Sequence, residues 1–283
     1  MGKNKTSLVL EGGGLRGAYT AGALSWLIDN NIKFDCGYGI STGAVYLINF
    51  LMKSKENLHD FSTKYINDDR IVGLRSFLDS GRIVDYDFLF DELLPQGLNF
   101  DLSPMKHIKE KGKIGLYSLN QGKTIFKSTK NCDSQLLKAA TSLPVLGKIV
   151  KYEDEEYFDG GITEMIPINE AIKDKCDNFL IITTKPADYV RKPAKSFVVW
   201  LMKKMYPQCP QISIDYKNRH LNYQKQIELI KQLQKDHKAI YMYPSKHSKV
   251  TRLSGTVEQL EELYNIGYQD MENRKDEILK MFK

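Results

Sequence analysis

Cysteine is scarce and scattered: Cys36, Cys132, Cys176 and Cys209 stand far apart with no C-x-x-C pair. That excludes a zinc-ribbon site and a disulfide framework, and fits a reducing compartment. Long apolar runs are missing as well. No stretch approaches the roughly 18 residues of a membrane span, and in the opening MGKNKTSLVLEGGG the apolar run is only Leu8 to Leu10, too short for the core of a secretion signal. A strong charge of one sign is also absent. The 41 Lys and Arg against 35 Asp and Glu leave +6, spread along the chain, which reads as a solvated surface with no nucleic-acid partner. Internal repeats and low-complexity linkers do not occur. Gly2 through Thr6 fits the M-G-x-x-x-[ST] acylation pattern, one short enough to arise by chance. A soluble, cytoplasmic protein is expected.

What is present suffices for a large core: 283 residues, 42% of them hydrophobic. Ser7 to Leu10 reads as a buried strand, and Ala18 to Asn30 as a helix with Ala21, Leu24, Leu27 and Ile28 on one face. Asp35 to Ile40 reads as a second strand and Thr42 to about Lys55 as a second helix. This β-α-β-α grammar with tight glycine turns predicts an α/β fold with a mostly parallel sheet. Leu58 to Leu94 is helical and irregular, either covering the sheet or forming a lid. Lys113 to Asn120 and Lys123 to Ser128, joined through Gln121-Gly122, read as a hairpin; Ile149 to Tyr152 and Glu156 to Phe158 read as another. A short helix over Ile168 to Lys173, a buried strand over Asn178 to Thr184, a last strand over Ala239 to Tyr243 and one long helix from Thr256 to Phe282 complete the pattern. The economical division is a single domain over residues 1–283, with a motif-bearing part at about 5–185 and a C-terminal extension at about 186–283.

Three short motifs carry chemistry. Gly12-Gly13-Gly14-Leu15-Arg16-Gly17 satisfies the dinucleotide pattern G-x-G-x-x-G between a strand and a helix, with Asp35 about 20 residues on. The second strand, however, runs on past Asp35 into a further glycine-bracketed turn, Gly39-Ile40-Ser41-Thr42-Gly43. This is G-x-S-x-G in its required strand-to-helix context, where a sharp turn lifts the serine hydroxyl above the sheet edge at a helix N-terminus. The plain alternative is a serine that caps the helix. A nucleophilic serine needs amides aimed at an oxyanion, and Gly12, Gly13 and Gly14 expose three on the neighbouring turn. Arg16 has three readings: a brace for the loop, a ligand for an anionic head group, or a surface arginine. A base is also required. His59, His107, His220, His237 and His247 are the available histidines, and only His247, after the last strand, has a suggestive place. Ser41 follows only the second strand, which is the wrong order for an α/β-hydrolase. Asp159-Gly160-Gly161, an aspartate at a strand end, is the better partner, although D-G-G alone is usually a turn.

Together, Gly12 to Gly17, Gly39 to Gly43 and Asp159 to Gly161 resemble the patatin-like phospholipase family, which carries G-G-G-x-R-G, G-x-S-x-G and D-G-G or D-G-A in this order. Ala140-Thr141-Ser142-Leu143-Pro144 is similar to a fourth family segment. The resemblance implies a three-layer α/β/α fold and a Ser-Asp pair in place of a triad. In it Ser41 is the nucleophile, Asp159 the base and Gly12, Gly13 and Gly14 the oxyanion loop, with Leu15, Arg16, Gly17, Gly39, Gly43, Gly160 and Gly161 in support. It implies hydrolysis of a lipid acyl ester through an acyl-enzyme, with no metal or organic cofactor. The same pair would serve a thioesterase or carboxylesterase on soluble esters. A non-catalytic protein of the same fold whose glycine loop binds a nucleotide or anion is the rival of another class. Lys195 to Met205, KSFVVWLMKKM, is read first as a core-packed helix with solvated lysines and second as an interfacial helix in peripheral membrane contact. Chain length and head group of the substrate, and the oligomeric state, are not written in the motifs.

Overall fold

The computed structural model of the chain describes residues 4–64 and 68–281; Gly2 of the acylation pattern and Phe282 of the expected last helix lie outside them. Eight strands form one sheet: β1 (Thr6–Leu10), β2 (Cys36–Ile40), β3 (Lys111–Ser118), β4 (Lys123–Ser128), β5 (Val150–Tyr152), β6 (Glu155–Asp159), β7 (Asn178–Ile182) and β8 (Ala239–Met242). The order is β5-β6-β3-β2-β1-β7-β8, with β4 paired to β3. From β3 to β8 along this path every pairing is parallel. β4 and β6 run antiparallel to β3, and β5 antiparallel to β6. Both expected hairpins are therefore present. Strands β1 and β7 read as near-continuous apolar runs because helices cover both of their faces.

Alternate side chains of the strands divide between two cores, as the two-residue period requires. Leu8, Leu10, Leu180, Ile182, Ile240 and Met242 face one side. Helices α1 (Ala18–Asp29), α2 (Thr42–Leu51) and α3 (Lys55–Thr63) pack there; α4 (Leu74–Ser80) buries only Ser76 and leaves Leu74, Phe77 and Leu78 exposed, and α5 (Leu94–Leu98) and α6 (Ser134–Thr141) join the core in the stretch up to β5. Val9, Tyr38, Phe179, Ile181 and Tyr241 face the other side, where α7 (Ile168–Lys173) and α9 (Pro210–Lys235) bring Ile168, Tyr223 and Ile230. Between them α8 (Ser196–Met205) packs Met202 against Phe158 and Tyr117. Helices α10 (Val257–Asn273) and α11 (Lys275–Met281) return to the first face, with Leu260, Leu263 and Ile278 in its core. Three layers, α/β/α, result.

Three expectations need correction, and one helix lies where none was expected. Helix α1 has no single apolar stripe: Ala18 through Leu27 are all buried, because α1 lies beneath α10 as well as on the sheet. The single long C-terminal helix is two, broken after Asn273, where the Arg274 guanidinium donates to the Tyr241 carbonyl at 2.7 Å. The 26-residue α9 was not foreseen; its weakly patterned, largely polar sequence spreads few buried residues over seven turns. In α8, Phe197 and Trp200 are 67% and 53% exposed and stacked on each other at 5.8 Å, so only Met202 of that helix is core. Among the described residues no helix is long and apolar enough to cross a membrane.

Candidate active site

The strand order reverses direction beside β1, with β2 and β3 to one side and β7 and β8 to the other. In open α/β sheets the carboxyl ends of strands at such a point form the binding crevice. All three motifs gather there.

Two of them are brought together by register. Strand β3 has β4 along one edge from Lys113 to Ser118. On its other edge β2 pairs as far as Ile40 opposite Gly115, and β6 takes over with Asp159 opposite Leu116. β2 and β6 thus run toward each other in one lane and stop at consecutive rungs. Ser41 follows the end of one and Asp159 ends the other.

Ser41 has φ 56° and ψ −130°, a strained conformation for a residue with a side chain. Its side chain makes no cap bond to α2, so the capping role weighed from sequence is not its role. The turn closes tightly enough that a Cβ at Gly39 would lie 2.5 Å from the Gly43 carbonyl oxygen. Small residues at both flanks of the serine are the steric condition for this geometry. The N-terminus of α2 adds partial positive charge beside the hydroxyl.

Asp159 is 3% exposed. Its amide donates to the Ser142 carbonyl at 2.8 Å, and its Oδ1 accepts from the Gly161 amide at 2.7 Å. The Ala140–Pro144 segment therefore anchors the aspartate. Burial pushes the Asp159 carboxyl above the ordinary carboxylate value. Hydrogen bonds from the Ser41 hydroxyl and the Gly161 amide, with the charges of Arg219 and Arg252, pull the other way and are outweighed.

The glycine loop lies against Ser41, close enough that a Cβ at Gly12 would stand 2.8 Å from the Ser41 Cβ. Its three amides differ. Gly12 donates to the Met165 carbonyl and Gly13 to the Thr42 hydroxyl, each at 3.2 Å. The Gly14 amide makes no hydrogen bond among the described residues. Gly14 has φ +57°, and a Cβ there would overlap the Arg252 carbonyl, which itself accepts from the Leu15 amide at 3.1 Å. Arg16 is half-buried, and its Nε donates to the Val250 carbonyl at 3.2 Å, a brace for the loop. Asp35 is also structural, accepting from the Thr6 amide and hydroxyl at 2.8 and 2.9 Å.

Two adjoining cavities open here. One, of about 60 Å³, is lined by Ser41, Gly14 and mainly apolar side chains, among them Val72, Tyr86, Phe90 and Leu143. The irregular segment after Leu58 thus covers this chamber. The second, a narrow pocket of about 10 Å³, is lined by Asp159, Pro144, Arg219 and Arg252. Leu143 and Arg252 belong to both. None of the five histidines lines either cavity; His247 pairs at the surface with Asp188 at 3.6 Å, and His59 bridges Asp60 and Glu261. No cluster of metal-ligating side chains occurs among the described residues.

Sequence reading did not find Glu11, Lys185, Arg219 or Arg252. Glu11 is completely buried and forms an ion pair with Lys185, and its other oxygen accepts from the Thr184 amide at 2.6 Å. Burial pushes the Lys185 amine down to about 8. None of the four belongs to a motif, and only an apolar strand with a charged residue at its tip, as in SLVLE, hints at the first.

Residues 8–172 match the family model described as Patatin-like phospholipase, and residues 209–283 match one described as a domain of unknown function, DUF6363. The chain is 25% identical over 195 residues to the uncharacterized protein YjjU of Escherichia coli (strain K12), covering 67% of this chain and 54% of that protein. It thus spans about half the length of YjjU. It is also 25% identical over 208 residues to the probable lipid hydrolase 463L of Invertebrate iridescent virus 6, covering 65% of this chain and 71% of that protein. Among solved structures, VipD from Legionella pneumophila superposes with a TM-score of 0.51 over 97% of this chain and 67% of that one, at 13% identity, a likeness of fold.

Proposed function

Since the chain belongs to the patatin-like phospholipase family, we propose that it is a lipid acyl hydrolase in which Ser41 is the nucleophile and Asp159 the base. The observation that supports this most is the meeting of β2 and β6 at consecutive rungs of β3, which sets Ser41 and the buried Asp159 at adjoining strand ends, with no histidine in either cavity. In this reading the Ser41 oxygen attacks the acyl carbon as its proton passes to Asp159. The carbonyl oxygen becomes an oxyanion, and the alcohol leaves with the proton that Asp159 returns. Water then repeats the sequence on the acyl-enzyme and frees the fatty acid.

An aspartate at its ordinary value is a weak base toward a hydroxyl. The burial that raises Asp159 brings it nearer the task. The oxyanion is received by the Gly12–Gly14 loop: the Gly14 amide is unengaged, and the Gly13 amide can exchange its 3.2 Å bond to Thr42 for a charged acceptor. The apolar chamber beside Ser41 suits an acyl chain. The exposed Phe197 and Trp200 beside Lys203 and Lys204 support peripheral contact with a lipid surface through α8. A single domain over residues 1–283 is the accompanying organisation.

Labelling with a fluorophosphonate probe tests the reading directly. The natural chain is expected to label, and Ser41→Ala to lose both labelling and hydrolysis of p-nitrophenyl esters and phospholipids, with kcat down by on the order of 10⁴ or more. A variant with all five histidines replaced should retain esterase activity. Labelling that persists in Ser41→Ala, or a folded histidine-free variant without activity, would overturn the assignment.

A further inference from the structure

The segment matching the domain of unknown function, residues 209–283, reaches into the candidate site. Arg219 comes from α9 and Arg252 from the loop between β8 and α10. The Arg219 Nε donates to the Gly161 carbonyl at 2.5 Å, and the Arg252 carbonyl holds the Leu15 amide of the glycine loop. Arg219 and Arg252 line the chamber of Asp159, and Arg252 lines that of Ser41 as well. Arg16 and Arg191 line neither cavity but lie within electrostatic reach of others in the group.

Charge here is unbalanced. None of these four guanidiniums forms an ion pair with a carboxylate among the described residues, whereas Arg70, Arg75 and Arg274 all do. The acids facing the group are Asp159, whose charged form burial disfavours, and Glu11, already bound to Lys185. Burial and mutual repulsion push the Arg219 guanidinium down to about 10. Half-buried arginines assembled without counter-ions, next to an enclosed space, are arranged for an anion that arrives from outside.

We propose that residues 209–283 complete the site by supplying Arg219 and Arg252 as a receptor for a phosphate group attached to the substrate close to its scissile acyl ester. This rests on the hydrolase reading above and adds selectivity to it. The acyl chain occupies the apolar chamber past Ser41 while the phosphate turns toward Arg219 and Arg252, so the ester carbonyl spans the boundary the two cavities share at Leu143. Arg16, braced on Val250, reinforces the field from the glycine-loop side.

The test uses two soluble esters with the same acyl chains, dibutyryl phosphatidic acid and dibutyrylglycerol, on the full chain. The natural protein is expected to favour the phosphate ester in kcat/KM by about tenfold or more, as for a charge-assisted hydrogen bond gained. Arg219→Gln and Arg252→Gln should each collapse that ratio, chiefly through KM of the phosphate ester, with Arg252→Lys restoring part of it. Inorganic phosphate should compete with the phosphate ester in the natural protein. Equal kcat/KM for the two esters, or a ratio that survives both substitutions, overturns the proposal. So does phosphate inhibition without selectivity between the esters, which marks a free-phosphate site instead. If Arg219→Gln fails to fold, because the Gly161 bond is lost, Arg252→Gln and phosphate competition decide. Absence of fluorophosphonate labelling in the natural chain is the separate signature of failure of the hydrolase reading.

Discussion

A carboxylate as deeply buried as Asp159 is held against its own solvation, and the fold bears that cost whether or not a reaction takes place. Because its carboxyl is pushed up, the folded chain holds more protons than the unfolded one between the ordinary aspartate value of 3.8 and the raised one. Stability therefore falls as pH rises through that window, and the full penalty remains above it. Asp159→Asn, which keeps the shape and removes the charge, is expected to raise stability at pH 8 by on the order of 1 kcal/mol, about 2–4 °C in Tm. The gain should vanish below about pH 3.8, and hydrolysis should be lost throughout. Calorimetry across pH checks this; a variant less stable than the parent at pH 8 contradicts it. At this scale the sequence was informative about Ser41, because glycines at both flanks admit one backbone geometry there. It was silent on the burial that raises Asp159, which depends on what β3 and Ser142 bring to it.

Among the elements, β1 and β7 end in a charged contact that no pattern announces. Glu11 at the tip of β1 and Lys185 just past β7 are both buried and paired, directly behind the glycine loop. Glu11→Gln would leave a buried amine without its carboxylate, held only by the Thr184 hydroxyl and the rings of Tyr189 and Tyr223. The expected loss is about 3–5 kcal/mol in urea denaturation, with Glu11→Gln/Lys185→Met recovering most of it. A single variant as stable as the parent would show that the pair is idle. Strands and the two hairpins were legible because their periods and turns are local. The break after Asn273 and the burial of α1 on all sides were not. Both depend on partners far along the chain: the Tyr241 carbonyl for Arg274, and α10 for α1. In α8 the apolar residues were visible, but whether they face core or solvent is decided by α9 and the β6 end.

Over the whole molecule, the two stretches matched by separate family models touch at several places. β8 extends the sheet beside β7, α10 covers α1, and Arg252 locks the glycine loop from the far end of the chain. A chain ending at residue 208 is accordingly expected to lack cooperative thermal unfolding and near-ultraviolet circular dichroism, and to resist labelling by a fluorophosphonate. A soluble, cooperatively folded product would argue for two independent units. The meeting of β2 and β6 along β3 has one more consequence. Since a single strand carries both ends on neighbouring rungs, the interval between Ser41 and Asp159 is inherited from the pitch of a hydrogen-bond ladder and not from the loops that surround it. Those loops, the covering segment after Leu58 and the arginine-bearing stretch alike, can change in length and charge without moving that interval.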